Sequence, residues 1–168
     1  GLAQEFLKRG HNVAISGRSD ASIATALTQL NSGSAKAIGI SCEVSNFEQV
    51  QQLWDKASKA FGHIDIWVNN AGLARTAWSI IDIPHSEVEA MVTTNMLGTI
   101  NGARVAAVGM LAQQRAGKIF NMLGGGSDGE YFPGMGIYGT TKRGLNYFCD
   151  ALTKELKDSD ILVGKIRP

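Results

Sequence analysis

Tyr138 and Lys142 stand four residues apart in a stretch, residues 121–142, that reads NMLGGGSDGEYFPGMGIYGTTK. On a helix that spacing puts both side chains on one face, one above the other. A free phenol, with a pKa of about 10, is a poor proton donor or acceptor at neutral pH. An ammonium one turn away favours the phenolate, so the pair predicts a lowered tyrosine pKa. Such a pair can run general acid/base chemistry near pH 7. The same spacing also arises in ordinary amphipathic helices, as a half-buried ring and a solvated charge, so the elements around it have to decide.

Those elements alternate. Leu2, Ala3, Phe6 and Leu7 fall at helical spacing before Gly10, and residues 12–16 form a short apolar run that predicts a strand. Asp20 is placed to cap a helix over 21–30, Asn31-Ser32-Gly33-Ser34 reads as a turn, and 35–40 as a second strand. Asn46 then caps a helix whose Phe47, Val50, Leu53, Trp54, Ala57 and Phe61 make one stripe, stopped by Gly62. Residues 64–68 predict a third strand, Ser86 opens a helical segment, and a long helix is expected from about Asn95 to Gln114. A fourth strand over 118–122, a helix over 137–156 and a last strand over 161–166 complete the pattern. Short apolar strands alternating with helices mean βαβ units, hence an α/β fold with a parallel sheet covered on both faces. In such sheets ligands bind outside the carboxyl ends of the strands. There lie Ser16-Gly17-Arg18, Cys42-Glu43-Val44, Asn69-Asn70-Ala71-Gly72 and the glycine-rich residues 124–129, so one cleft is expected.

Composition narrows the function. With 168 residues the chain is expected to be a single domain, able to bury roughly 70% of its unfolded surface. A net charge of +1 gives no reason to expect nucleic acid or an anionic membrane as partner. No apolar run is long enough to span a bilayer, and no leader peptide is expected, since Gly1 opens on a helical pattern. Cys42 and Cys149 make no disulfide framework and point to a reducing compartment, the cytoplasm or a plastid. His11, His63 and His85 are scattered, so no metal site is expected.

The N-N-A-G segment after a strand, Asn95 in the next helical region and Tyr138-x-x-x-Lys142 together resemble the short-chain dehydrogenase/reductase family over essentially the whole chain. Segments 66–72, 120–122, 124–129 and 138–142 further resemble the family's chlorophyll b reductase branch. The resemblance implies a Rossmann-type, doubly wound, three-layer sheet. By the family's spacing the glycine-rich phosphate turn would precede Gly1, so the chain is expected to be an internal piece, truncated at both ends and lacking the first strand. Such a piece alone is expected to be unstable and not to bind cofactor normally.

The resemblance also implies roles. Hydride would pass between NADP(H) and a carbonyl or alcohol, with Tyr138 as general acid/base, Lys142 lowering its pKa and holding the nicotinamide ribose, and Asn95 positioning a relay water. Seen as a residue alone, Asn95 fits a helix N-cap equally. The family's carbonyl-holding hydroxyl, thirteen positions before the tyrosine, falls here on Gly125; Ser127 supplies it instead, or backbone N–H groups do, or Ser127 serves only a local turn. Asn69, Ala71 and Gly72 would line the cofactor, with Glu43 and Val44 near the adenine. Ser16 and Arg18 end the strand where an NAD enzyme carries a carboxylate; Arg18 can instead pair a 2′-phosphate, which favours NADP(H) over NAD(H). Leu73, Trp78, Tyr131, Phe132 and Met135 suggest a wall for an apolar or bulky substrate. The helices from Asn95 and Ile137 resemble those through which family members form homodimers or homotetramers, although their stripes would suit a sheet equally. The rival function is a non-catalytic, dinucleotide-binding scaffold or sensor. A phosphate-cleaving enzyme is a poor fit, because no Lys-Ser/Thr follows the glycine loop.

Overall fold

A computed structural model describes residues 1–30 and 33–168, in two compact units, Gly1–Ile64 and Asp65–Pro168. The turn expected over residues 31–34 includes residues 31 and 32 and lies in part outside the described residues.

The first unit holds α1 (Leu2–Lys8), β1 (Val13–Gly17), α2 (Asp20–Gln29), β2 (Ala37–Ser41) and α3 (Phe47–Phe61). β1 and β2 pair in parallel, Val13 opposite Ala37 and Gly17 opposite Ser41. α3 follows its sequence pattern closely. Asn46 accepts a hydrogen bond from the Gln49 N–H at 2.9 Å, Gly62 ends the helix at a φ of 84°, and Val50, Leu53, Trp54 and Ala57 are the buried stripe. Each large apolar side chain buried there stabilises by about 1.5–3 kcal/mol. At α2 the expected cap is displaced by one residue: Ser19, not Asp20, accepts from the Ser22 N–H, while Asp20 opens the first turn, where its charge suits the helix dipole.

The second unit holds β3 (Ile66–Asn69), α4 (His85–Met91), a π-helical turn (Val92–Leu97), α5 (Gly98–Gln113), β4 (Gly117–Met122), α6 (Gly136–Glu155) and β5 (Ile161–Ile166). Its three strands are parallel in the order β3-β4-β5. The helix expected to begin near Asn95 is instead continuous with the one before it. Asn95 sits mid-helix in the π turn, so it is not an N-cap. Gln114 ends α5 in the left-handed region, at a φ of 51°.

α6 positions the chemistry. Thr141, Lys142, Leu145, Cys149 and Leu152 recur at helical spacing and are its buried residues. A lysine on that stripe is the anomaly, since an ammonium is almost never fully buried without partners.

Candidate active site

Strand register sets the floor of the site. Asn69 and Asn121 are direct partners across β3 and β4, so their side chains share a face, and Trp67 shares it two residues earlier. The Asn69 amide nitrogen donates to Asn121 Oδ1 at 2.8 Å, and Trp67 Nε1 donates to Asn69 Oδ1 at 2.8 Å. Asn121, fully buried, donates onward to Cys149 Sγ on α6 at 3.3 Å. A side chain at Gly102 of α5 would collide with Asn69 Oδ1, so the helix must be bare there. Asn69 was expected to line a cofactor; the contacts of its side chain are to Trp67 and Asn121. Ala71 and Gly72, exposed beyond the strand, carry the backbone onward.

A second set of bonds fixes that backbone. Asn95, with no exposed surface, accepts from the Leu73 N–H at 2.7 Å and donates to the Leu73 carbonyl at 2.9 Å. Its amide also donates to Thr141 Oγ1 at 3.0 Å, and that hydroxyl donates to the Tyr138 carbonyl at 2.7 Å. One asparagine therefore ties the strand-end loop to the first turns of α6. The π turn, which often marks a functional position in a helix, is where this side chain leaves α-helical register.

Lys142 is 4% exposed, and its ammonium donates to the Met122 carbonyl at the end of β4, at 2.9 Å. The same nitrogen lies 5.7 Å from the Tyr138 ring centroid. Burial pushes the Lys142 pKa down and the half-buried Tyr138 hydroxyl up. The lowered tyrosine pKa predicted from spacing is thus overturned for the chain's own groups. Desolvation of the phenolate outweighs a cation that is itself desolvated and engaged with a carbonyl.

The glycine loop lies against the start of α6. A Cβ on Gly124 would collide with the Tyr138 hydroxyl, and one on Gly125 would stand 2.9 Å from Met135 Cε. Gly126, at a φ of 80°, packs its Cα on Gly139. Ser127 is 3% exposed; its carbonyl accepts from Arg143 at 3.2 Å and Asn146 at 3.1 Å, both further along α6 than Tyr138. The residue the Tyr138 hydroxyl touches in this loop is therefore Gly124. Asp128, rather than Ser127, makes the local turn, accepting from the Glu130 N–H at 3.1 Å.

The remaining expected site residues belong to the first unit. Ser16 and Arg18 are exposed at and just after the end of β1. Glu43 follows β2, and its carboxylate accepts from the Ser45 N–H at 3.3 Å and hydroxyl at 3.2 Å, a local turn. Val44 is half-buried beside it. Among the described residues no cluster of His, Cys, Asp or Glu is arranged to hold a metal, and no helix is long and apolar enough to cross a membrane.

Sequence reasoning missed Thr141, Asn121 and Gly124. Asn121 had a signal, a polar residue in the middle of an otherwise apolar strand. Thr141 and Gly124 had none, because their roles depend on what lies across the fold.

A family profile described as short chain dehydrogenase matches residues 1–168. The chain belongs to the short-chain dehydrogenase family. Within it, the chain is 39% identical to chlorophyll(ide) b reductase NOL, chloroplastic, of Oryza sativa subsp. japonica, over 95% of this chain and 48% of that protein. A short-chain dehydrogenase/reductase of Burkholderia phymatum, solved in complex with NAD, is 26% identical and superposes with a TM-score of 0.92, covering 99% of this chain and 59% of that one. ElxO with NADP bound, 27% identical, superposes at 0.91 over 99% of this chain and 66% of that one. This short-chain dehydrogenase chain spans 36% to 48% of the length of the first curated relatives it matches. Its parallel strands and intervening helices are those of the family's Rossmann-type α/β fold.

Proposed function

We propose that this chain carries the catalytic residues of an NADP(H)-dependent oxidoreductase that acts on a carbonyl, or the corresponding alcohol, of a bulky apolar substrate, as its chlorophyll(ide) b reductase relatives are named for doing. The observation that carries this reading is the Tyr138 hydroxyl resting on bare Gly124 with a buried ammonium one turn away. The residues present suit a dinucleotide. Lys142 has two further N–H groups beyond the one given to Met122, and a buried cation suits ribose hydroxyls. A Cβ at Gly72 would stand 3.7 Å from Lys142 Nζ and 3.5 Å from Asn95 Oδ1, so backbone without a side chain lines that approach.

A bound reduced nicotinamide supplies the hydride. Tyr138 then donates its proton to the carbonyl oxygen, as the carbonyl carbon gains the hydride and the bond's electron pair moves to oxygen. A hydroxyl held protonated by burial is the right form for that direction. Lys142 holds the ribose and stabilises the phenolate left behind. Asn95 keeps the Gly72–Leu73 backbone and the first turns of α6 in fixed relation. Arg18 takes the 2′-phosphate, Ser16, Glu43, Val44 and Ala71 contact the dinucleotide, and Ser127 contributes through its place in the loop rather than at the proton donor. A homodimer or homotetramer and a reducing compartment, a plastid included, complete the proposal.

The test is NADPH oxidation by the full-length protein against a carbonyl panel. Tyr138→Phe is expected to lower kcat by about 10²–10⁴. Wild-type protein that binds NADPH but reduces no carbonyl would instead favour the scaffold reading, to which the raised Tyr138 pKa lends support.

A further inference from the structure

Three consecutive glycines face three different residues at the start of α6: Gly124 the Tyr138 hydroxyl, Gly125 the Met135 thioether, Gly126 the Cα of Gly139. The Met135 methyl therefore fills the volume that a side chain at position 125 would take, one residue along the loop from the resting place of the hydroxyl. Met135 also stands between two contacts with the loop at residues 76–81. A side chain at Gly134 before it would collide with the Thr76 carbonyl, and one at Gly136 after it would stand 2.6 Å from Ile80. Between that loop and Tyr131, Pro133 and Gly134 opens a cleft of about 500 Å³. Trp78 and Tyr131 line it and keep 43% and 70% of their surface exposed, while Ile81 keeps 91%. Exposed apolar surface gathered at one concave place marks a ligand site. Met135 itself does not line the cleft. Its backbone borders the cleft, and its side chain turns to the loop beside the hydroxyl, so it forms the wall between them.

We propose that Met135 is the specificity-determining residue of this site, admitting an unbranched carbonyl, an aldehyde, on a flat apolar body that lies in the cleft between residues 76–81 and Tyr131. This rests on Tyr138 being the proton donor. The thioether methyl crowds the side of the hydroxyl nearest Gly125, where a ketone would place its second carbon substituent. The aromatic faces of Trp78 and Tyr131 hold the body away from the reacting carbon.

The experiment uses the full-length protein, NADPH, and two probes with one body: 2-naphthaldehyde and methyl 2-naphthyl ketone. Met135→Ala is expected to raise the ketone-to-aldehyde ratio of kcat/KM by about tenfold or more, the scale for one carbon in an apolar pocket. Met135→Leu, which keeps the volume, is expected to leave the ratio within twofold. Trp78→Ala is expected to raise KM for both probes with little change in kcat, the mark of uniform binding. An unchanged ratio in Met135→Ala would overturn the proposal. So would failure of the wild-type enzyme to reduce either naphthyl probe while it reduces other carbonyls, and in both cases Tyr138 keeps its role. Full activity in Tyr138→Phe, or no carbonyl reduced at all, overturns the Tyr138 reading and this proposal with it.

Discussion

The two compact units handle polar groups in opposite ways. In Gly1–Ile64 the core is apolar, built from residues such as Leu7, Ile23, Ile40, Val50 and Trp54, and the ion pair of Arg9 with Glu5 lies on the surface. In Asp65–Pro168 the core also takes in Asn95, Thr99, Asn101, Asn121, Ser127, Thr141 and Lys142, each under 9% exposed. Among the described residues every buried polar or charged side chain lies in this second unit. Burying such groups costs free energy unless each is paired, and the pairings are specific: Leu73 with Asn95, Asn95 with Thr141, Asn69 with Asn121, Lys142 with Met122. The difference separates a unit organised to fold from one that is also organised to hold a few atoms in place.

Substitutions that test this contrast rank accordingly, all in the full-length protein. The largest effect is expected from Asn95→Leu, which strands the Leu73 amide and carbonyl and the Thr141 hydroxyl; a loss of about 3 kcal/mol is expected from urea unfolding, together with most activity. A loss under about 0.5 kcal/mol would mean that the buried polar bonds of the second unit are incidental. Gly124→Ala should leave the melting temperature nearly intact yet lower kcat about 100-fold, because the new methyl displaces the Tyr138 hydroxyl.

Lys142→Met should separate stability from activity. Replacing a buried charge with an apolar chain of similar size is expected to add about 1 kcal/mol of stability while turnover collapses. The pH dependence carries the sign. With the folded Lys142 pKa below its ordinary 10.5, the unfolded chain holds more protons between the two values, so stability climbs as pH rises across that window. Tyr138 opposes it: its folded pKa lies above 10.0, so its contribution is present below 10.0 and lost as pH rises through the folded value. Melting curves of Lys142→Met should lose the climb and keep the alkaline fall. The smallest effect is expected in the first unit. Arg18→Ala, at an exposed position, should change stability by less than about 0.5 kcal/mol while shifting the preference from NADPH toward NADH about tenfold.

The same contrast explains what could be read from the residues beforehand. The elements of the first unit follow from periodicity and caps, as at Asn46 and Gly62, because local rules decide them. The spacing of Tyr138 and Lys142 was legible too, since it depends on one helix. What escaped depends on chain segments far apart in sequence. Asn69 turns to Asn121 across 52 positions, and Asn95 to Thr141 across 46. The direction of the Tyr138 shift escaped for the same reason: burial is set by the loop at residues 124–126 and the rest of the fold, and spacing along α6 carries no information about it.

The π-helical turn over Val92–Leu97 has a consequence for how this chain can change length. Such a turn holds one residue more than the α turn it replaces, so the segment behaves as a helix with a built-in insertion. Excising a single residue there would let the helix close into uniform α geometry and swing everything on one side of the cut by about 100°. Either the Asn95 amide would point away from Leu73, or the bare edge of Gly102 would leave Asn69. Relatives that differ in length across this helix should therefore place the gap in its flanks, and a deletion within it should fail even where each remaining residue is acceptable.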